Sequence, residues 1–428
     1  MFTRPFWVLI HRWAGLVMAG FLIVVGLTGS LLAFYPELER LAHPHWYPDR
    51  DPGTWMGAGV LAEKLERAEP RLRVGQLSLQ GFDGATSAWV EPRLDPATGK
   101  PFDLGYNYVV LDPATGTVLD RIHWGTLRNG WTGLMSFVYA LHYALALGMP
   151  GVWILGGCAL VWTLDCFVGL YVTFPVRRPR ETHAHRQPVS VDASWWARWK
   201  RAWIIKPGNA HRLNFDLHRA GGLWLWGALL IFAWSSVYMN LWDTVYTWTT
   251  RALFEYHPYW TEFRPRPIPM ERPGLNWPDA QAVGERLMAA HVAQAGVTVR
   301  RPVGLRLYRD FGVYQYQVET TGEIDDRPRR YTTQVWFDAD TGVLRLALLP
   351  RGQYAGNTIS NWLYALHMAN VFGVPYRIFV CVLGVVVVML SVTGVYLWAK
   401  KRRSKAIAHS RRAGSLIVQA ATGAQPGK

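Results

Sequence analysis

Cysteine is scarce. The 428 residues hold three, Cys158, Cys166 and Cys381. All three fall inside long apolar runs, so no disulfide framework is expected outside a membrane. No CxxCH occurs, which argues against covalently attached haem. No Gly-rich turn follows a strand in a nucleotide-binding context. Acidic residues are also few, 30 against 45 Lys and Arg, and the shortage is local. Between the second and third apolar runs stand Arg177, Arg178, Arg180, Arg186, Arg198, Lys200, Arg201, Lys206 and Arg212, against only Glu181 and Asp192.

Apolar residues make up the balance. Half the chain is hydrophobic, yet the mean hydropathy is near zero, as expected when very apolar and ordinary polar segments alternate. Four runs, 13–35, 152–174, 221–242 and 376–398, are each about as long as a ~30 Å hydrocarbon core requires. The first is longer than the apolar core of a signal peptide. It ends in PELER rather than a small-residue cleavage site, so it reads as a retained anchor. The basic segment and KKRRSK at 400–405 belong on the cytoplasmic side by the positive-inside rule. The N-terminus, with Arg4 and Arg12, joins them there, and loops 36–132 and 243–358 lie outside. Because the basic clusters flank spans, the charge reads as topology rather than nucleic-acid binding.

The chain is made of two similar halves. YALHYALALGMP at 139–150 returns as YALHMANVFGVP at 364–375, an offset of 225. HRWAGL at 11–16 returns as HRAGGL at 218–223, an offset of 207. Helix-like stretches 57–69 and 278–291 open the two long loops, which then turn strand-like. Each loop contains an apolar strand that runs into Asp-x-x-Thr-Gly and out again as a hairpin, YNYVVLDPATGTVLD at 106–120 and TTQVWFDADTGVLRL at 332–346. The expected fold class is a membrane α+β protein with four transmembrane helices as a duplicated pair and two small α+β outer domains. Its order is span 1–35, outer domain 36–132, pre-helix and span 133–175, basic cytoplasmic loop 176–210, span 211–242, outer domain 243–358, pre-helix and span 359–399, and basic tail 400–428. Within the basic loop, Trp196, Trp199 and Trp203 share one helix side while Arg198 and Arg201 lie away from it, the pattern of an interfacial helix.

Four of the 13 histidines occupy repeated membrane contexts. His11 and His218 open the first and third spans on the inner side. His142 and His367 precede the second and fourth on the outer side. Ionisable groups in spans are functional candidates by default. Two facing imidazoles in a helix bundle suit both axial positions of a haem iron, and nearby Gly and Ala leave room for the macrocycle. Haem b, two per chain, is therefore the expected cofactor, with its iron held by His11, His218, His142 and His367. Arg12, Arg219 and Arg377 are candidate propionate contacts, and His211, seven residues before His218, is a weaker candidate ligand or contact. Zinc fits less well, because it wants more ligands clustered together. His43, His45 and His257 read as interfacial anchors, and His183 and His185 as solvated. Asp165 lies well inside the second span where the repeat has Leu390. It calls either for a partner or proton-handling role, or for a protonated carboxyl bonded to a hydroxyl such as that of Thr163.

The HRW and HRA starts, the paired YALH phrases and the two Asp-x-x-Thr-Gly hairpins resemble the PepSY-associated transmembrane family over nearly the whole chain. Some members of that family look like inner-membrane haem reductases of ferric siderophores. The resemblance implies a multi-pass protein of the bacterial inner membrane with both termini cytoplasmic. It would pass electrons outward to reduce a chelated ferric ion in the periplasm. Lipid, the ferric chelate, and a cytoplasmic reductase or quinol as donor are the implied partners, with no nucleic acid. The alternative is a non-catalytic sensor or peptidase modulator, since PepSY domains elsewhere are linked to peptidase inhibition. A transporter built on repeats is disfavoured, because four spans are few and Pro150 and Pro375 precede their spans.

Overall fold

A computed structural model describes residues 3–81, 83–128, 130–176, 194–325, 327 and 332–422. Arg177, Arg178, Arg180, Glu181, Arg186 and Asp192, with His183 and His185, lie outside the described residues. The chain runs α1 (Arg4–Leu32), α2 (Tyr35–Ala42), α3 (Ala58–Ala68), β1 (Leu72–Ser78), β2 (Ser87–Pro92), β3 (Tyr108–Leu111), β4 (Val118–Ile122), α4 (Leu134–Ala144) and α5 (Met149–Thr173). It continues α6 (Trp195–Lys200), α7 (Ala210–Trp224), α8 (Trp226–Asn240), α9 (Thr247–Leu253), α10 (Trp277–Ala295), β5 (Val299–Tyr308), β6 (Val313–Thr320), β7 (Thr333–Asp338), β8 (Leu344–Leu348), α11 (Ala355–His367) and α12 (Gly373–Thr422). It divides into two compact units, one of Met1–Leu27, Gly157–Trp234 and Leu383–Lys428, the other of Thr28–Gly156 and Ser235–Val382.

Among the described residues three helices are long and apolar enough to cross a membrane: α1, α5 and the Gly373–Ser404 part of α12. A fourth crossing exists only if α7 and α8, which meet at a 71° bend, count as one span. The expected third span, 211–242, is thus a bent helix pair. Polar tethers stand on α7. Its buried Asp216 accepts from the Lys206 amide at 3.2 Å and from Arg219 at 2.7 Å. The Trp224 indole donates to the Trp203 carbonyl at 3.0 Å. These bonds hold α7 against the segment before it, and Gly221-Gly222 weakens the helix near the bend.

The first unit packs Cys166, Leu229, Leu383 and Val387 at its centre, with Leu22, Trp162 and Trp226 around them. The Trp segment folds as α6 and a 3-10 turn (Arg201–Trp203). Trp199 packs edge-on to Phe174 at 5.4 Å and bonds the Thr173 hydroxyl at 3.1 Å, while Trp196 remains 63% exposed.

The second unit holds one antiparallel sheet in the order β4-β3-β2-β1-β5-β6-β7-β8. The two outer domains expected from the repeat are therefore joined edge to edge. Strand β1 pairs with β5, with Leu77 opposite Leu305, so neither inner edge is left with unpaired backbone. Gly304 permits this approach, because a Cβ there would stand 2.5 Å from the Leu77 carbonyl oxygen. Helices α3 and α10 cover one face and pack on each other. The Gly59 amide donates to Gln281 Oε1 at 2.7 Å. Leu61, Leu65, Leu77, Trp277, Met288, Leu305, Tyr314 and Phe337 fill the space between helices and sheet. Buried Arg309 ties the two halves by donating to the carbonyls of Met270 (3.1 Å), Glu271 (3.0 Å) and Val74 (3.1 Å).

The Asp-x-x-Thr-Gly signals form the hairpin turns they were read as. Asp112 Oδ1 accepts from the amides of Ala114 and Thr115, and Asp338 Oδ1 from those of Asp340 and Thr341. Gly116 and Gly342 follow with φ of 69° and 71°, where a side chain would be strained. Amide and arginine donors hold Asp338 down at about 2.

Candidate functional site: two imidazole pairs

In the first unit, His11 on α1 faces His218 on α7 with ring centroids 6.1 Å apart and planes at 58°. His11 Nδ1 lies 3.0 Å from both carboxylate oxygens of Asp165 on α5. His218 Nδ1 lies 3.0 Å from the Leu390 carbonyl and 3.2 Å from the Thr393 hydroxyl, both on α12. Glycines stand against both rings. A Cβ on Gly169 would meet His11 Cε1 at 3.4 Å, and one on Gly394 would meet His218 Cε1 at 3.2 Å.

In the second unit, His142 on α4 faces His367 on α11 with centroids 6.2 Å apart and planes at 63°. His142 Nδ1 is 2.9 Å from the Thr28 hydroxyl and His367 Nδ1 is 2.7 Å from the Ser235 hydroxyl. A Cβ on Gly29 would meet His142 Cε1 at 3.0 Å. Helix α4 ends just past its histidine, with Leu145 in the left-handed region. Helix α11 ends on His367 itself.

All four Nδ1 atoms thus face an oxygen. Carboxylate and carbonyl accept from Nδ1–H outright, and a hydroxyl can do so by rotation. That tautomer places the lone pair on Nε2, which is how metal-ligating histidines are usually oriented. Two imidazoles bonded to one metal at about 2 Å, each with a ring radius near 1.1 Å, have centroids about 6 Å apart. Both pairs match that spacing. Among the described residues no three His, Cys, Asp or Glu side chains converge on one point. A bare zinc ion would want three or four such ligands, whereas a haem, with four nitrogens of its own, wants only two. The donor sets therefore fit haem.

The other candidates are placed differently. Arg219 pairs with Asp216 and stacks on Phe215, and Arg377 pairs with Glu37 at 2.5 Å beside Arg327. Both cations already have carboxylate partners. Arg12 is half-buried next to His11 on α1. His211 is exposed at the start of α7, outside the ring pair. His43 stacks on Trp46 at 4.3 Å and lies 3.5 Å from Glu39. Burial beside Asp83 pushes Glu39 up to about 8 and burial lowers His43, so these two are neutral neighbours rather than an ion pair. His45 lies 3.6 Å from Asp120, and His257 bonds Glu262 at 2.6 Å. Asp165 has His11 as its partner. The Thr163 hydroxyl instead donates to the Ala159 carbonyl one turn earlier.

Thr28 and Ser235 were not singled out in the sequence. They keep the offset of 207 that relates His11 to His218, and extending that alignment along the first span would have matched the two hydroxyls.

The sequence profile of the PepSY-associated TM region matches residues 8–401. The chain belongs to that family. No curated protein matches it. Family and apolar helices together make it a multi-pass membrane protein.

Proposed function

We propose that this PepSY-associated protein binds two b-type haems and carries electrons across the bacterial inner membrane to reduce a chelated ferric ion on the periplasmic side. The observation that carries the reading is the pair of facing histidine couples, each at metal-sharing distance with every Nδ1 held by an oxygen. Haem, when bound, supplies a one-electron carrier.

The chain's own residues do the holding. His11 and His218 would ligate one haem, His142 and His367 the other. Asp165, the Leu390 carbonyl, Thr28 and Ser235 fix each ring's tautomer and rotation. Gly169, Gly394 and Gly29 keep the space beside the rings clear. Arg198, Lys200, Arg201, Lys206, Lys400 and Lys401 belong to the same unit as the first pair. The positive-inside rule then assigns that unit, with both termini, to the cytoplasmic side, where a reductase or quinol would donate. The unit with the second pair and the sheet faces the periplasm in this reading and receives the chelate. One electron converts Fe(III) to the softer, less charged Fe(II), which a hard-oxygen chelator holds less tightly.

The test is the visible spectrum of protein purified in detergent from haem-replete cells. The expected result is a six-coordinate b-type spectrum that weakens in His142→Ala and in His367→Ala, with the reduced protein reoxidised by a ferric chelate. A colourless preparation contradicts the reading and favours a sensor or peptidase modulator.

A further inference from the structure

We propose that Asp165 makes the two imidazole sites unequal: bonded to His11 Nδ1, its carboxylate strengthens His11 as a donor to ferric iron and sets the first site at the lower reduction potential. This rests on the haem reading above and adds a direction to it.

The repeat supplies an internal comparison. Three of the four imidazoles are backed by neutral acceptors, namely the Leu390 carbonyl with Thr393, Thr28 and Ser235. Among the contacts of the described residues, a carboxylate backs His11, and both of its oxygens lie 3.0 Å from Nδ1. The two halves otherwise keep their correspondence around the first pair. A Cβ on Gly169 or Gly394 would meet its respective ring at matching positions, yet the position equivalent to Asp165 is Leu390. Asp165 is buried within α5, and among the described residues no Lys or Arg pairs with it. A carboxylate in a span is costly unless it is paired and functional. Here its partner is the ring of a candidate ligand.

The chemical consequence follows from hydrogen-bond strength. A bond to an ionised acceptor is roughly twice as strong as one to a neutral acceptor. It draws the Nδ1 proton outward and leaves Nε2 more electron-rich, which raises ligand basicity. A more basic axial ligand favours the more highly charged oxidation state of the metal, so the first site holds its electron less tightly than the second. One electron leaving the first site and arriving at the second then runs downhill, with no bond made or broken and no further reactant needed.

The test is a potentiometric titration of the full-length protein in detergent, followed by its reduced haem absorption. Wild type is expected to show two midpoints. Asp165→Asn and Asp165→Leu, each first reconstituted to two haems per chain, are expected to raise the lower midpoint toward the upper one and leave the upper in place. A lower midpoint that stays put in Asp165→Asn, or a shift confined to the upper one, overturns the proposal. Wild-type protein gives a reading independent of any variant's folding. Electron paramagnetic resonance of the ferric form is expected to show two low-spin signals, one with a contracted spread of g values, and two signals of equal spread overturn it. A wild type that binds no haem fails the functional reading itself. Two bound haems with midpoints insensitive to Asp165 fail only this proposal.

Discussion

Deleting the hydroxyl behind a second-unit imidazole is expected to loosen its haem without removing a ligand. Ser235→Ala takes away the oxygen 2.7 Å from His367 Nδ1, and Thr28→Val does the same 2.9 Å from His142. Val matches Thr in shape, so α1 keeps its packing. Losing an outer partner of a metal-ligating histidine typically costs about 10–100-fold in affinity, or about 1.4–2.8 kcal/mol. In the two-haem reading the two hydroxyls would back opposite ligands of one site, so the double variant is expected to lose more than either single, with coupling through the shared haem. Transfer of haem to an excess of an apo-globin scavenger measures this directly. The expected traces have two phases, one unchanged and one accelerated by about one to two orders of magnitude. Thr163→Val is the control, because its hydroxyl donates to the Ala159 carbonyl of its own helix. Off-rates within about twofold of wild type in both Ser235→Ala and Thr28→Val would refute the assignment of those hydroxyls as ligand supports.

Three further outcomes follow from the same geometry. Gly394→Val places a side chain where Cβ alone would stand 3.2 Å from His218 Cε1, and is expected to lower haem content from two per chain toward one while the second site persists, as read by pyridine haemochrome. Arg309→Met leaves the carbonyls of Met270, Glu271 and Val74 without their buried donor. It is expected to cost about 3 kcal/mol in thermal unfolding followed by circular dichroism; a loss below about 0.5 kcal/mol would show the bridge to be dispensable. Glu39 is held neutral, with a pKa of about 8 against 4.5, so the folded chain keeps a proton that the unfolded chain releases. Its contribution therefore declines as pH rises from about 4.5 to about 8, by up to about 2 kcal/mol between pH 6 and 8. Glu39→Gln is expected to flatten that decline in melting temperature, and an unchanged slope would contradict it.

The repeat made much of this legible. Two offsets, 207 and 225, located the histidines, and the structure brings together His11 with His218 and His142 with His367. The Asp-x-x-Thr-Gly turns were readable because their chemistry is local: one carboxylate, two amides and a positive-φ glycine. Long-range features were not. Nothing in β1 or β5 alone announces that they pair, because edge pairing depends on backbone exposure and on a small residue such as Gly304 at the contact. The bend between α7 and α8 was hidden by apolar composition, which continues across it, while the polar bonds of Asp216 and Trp224 run to Lys206 and Trp203, before the helix begins. Asp165 was visible as an oddity inside a span, but its partner is 154 positions away and could be found only in three dimensions. Hydroxyls such as Thr28 and Ser235 are ordinary in membrane helices, and only the offset marks them.

The most direct measurement is haem stoichiometry in purified full-length protein. Pyridine haemochrome analysis is expected to give two b-type haems per chain in wild type. His11→Ala and His218→Ala are expected to lose the same one, and His142→Ala and His367→Ala the other. Wild-type protein without haem, or stoichiometry indifferent to all four substitutions, would contradict the account.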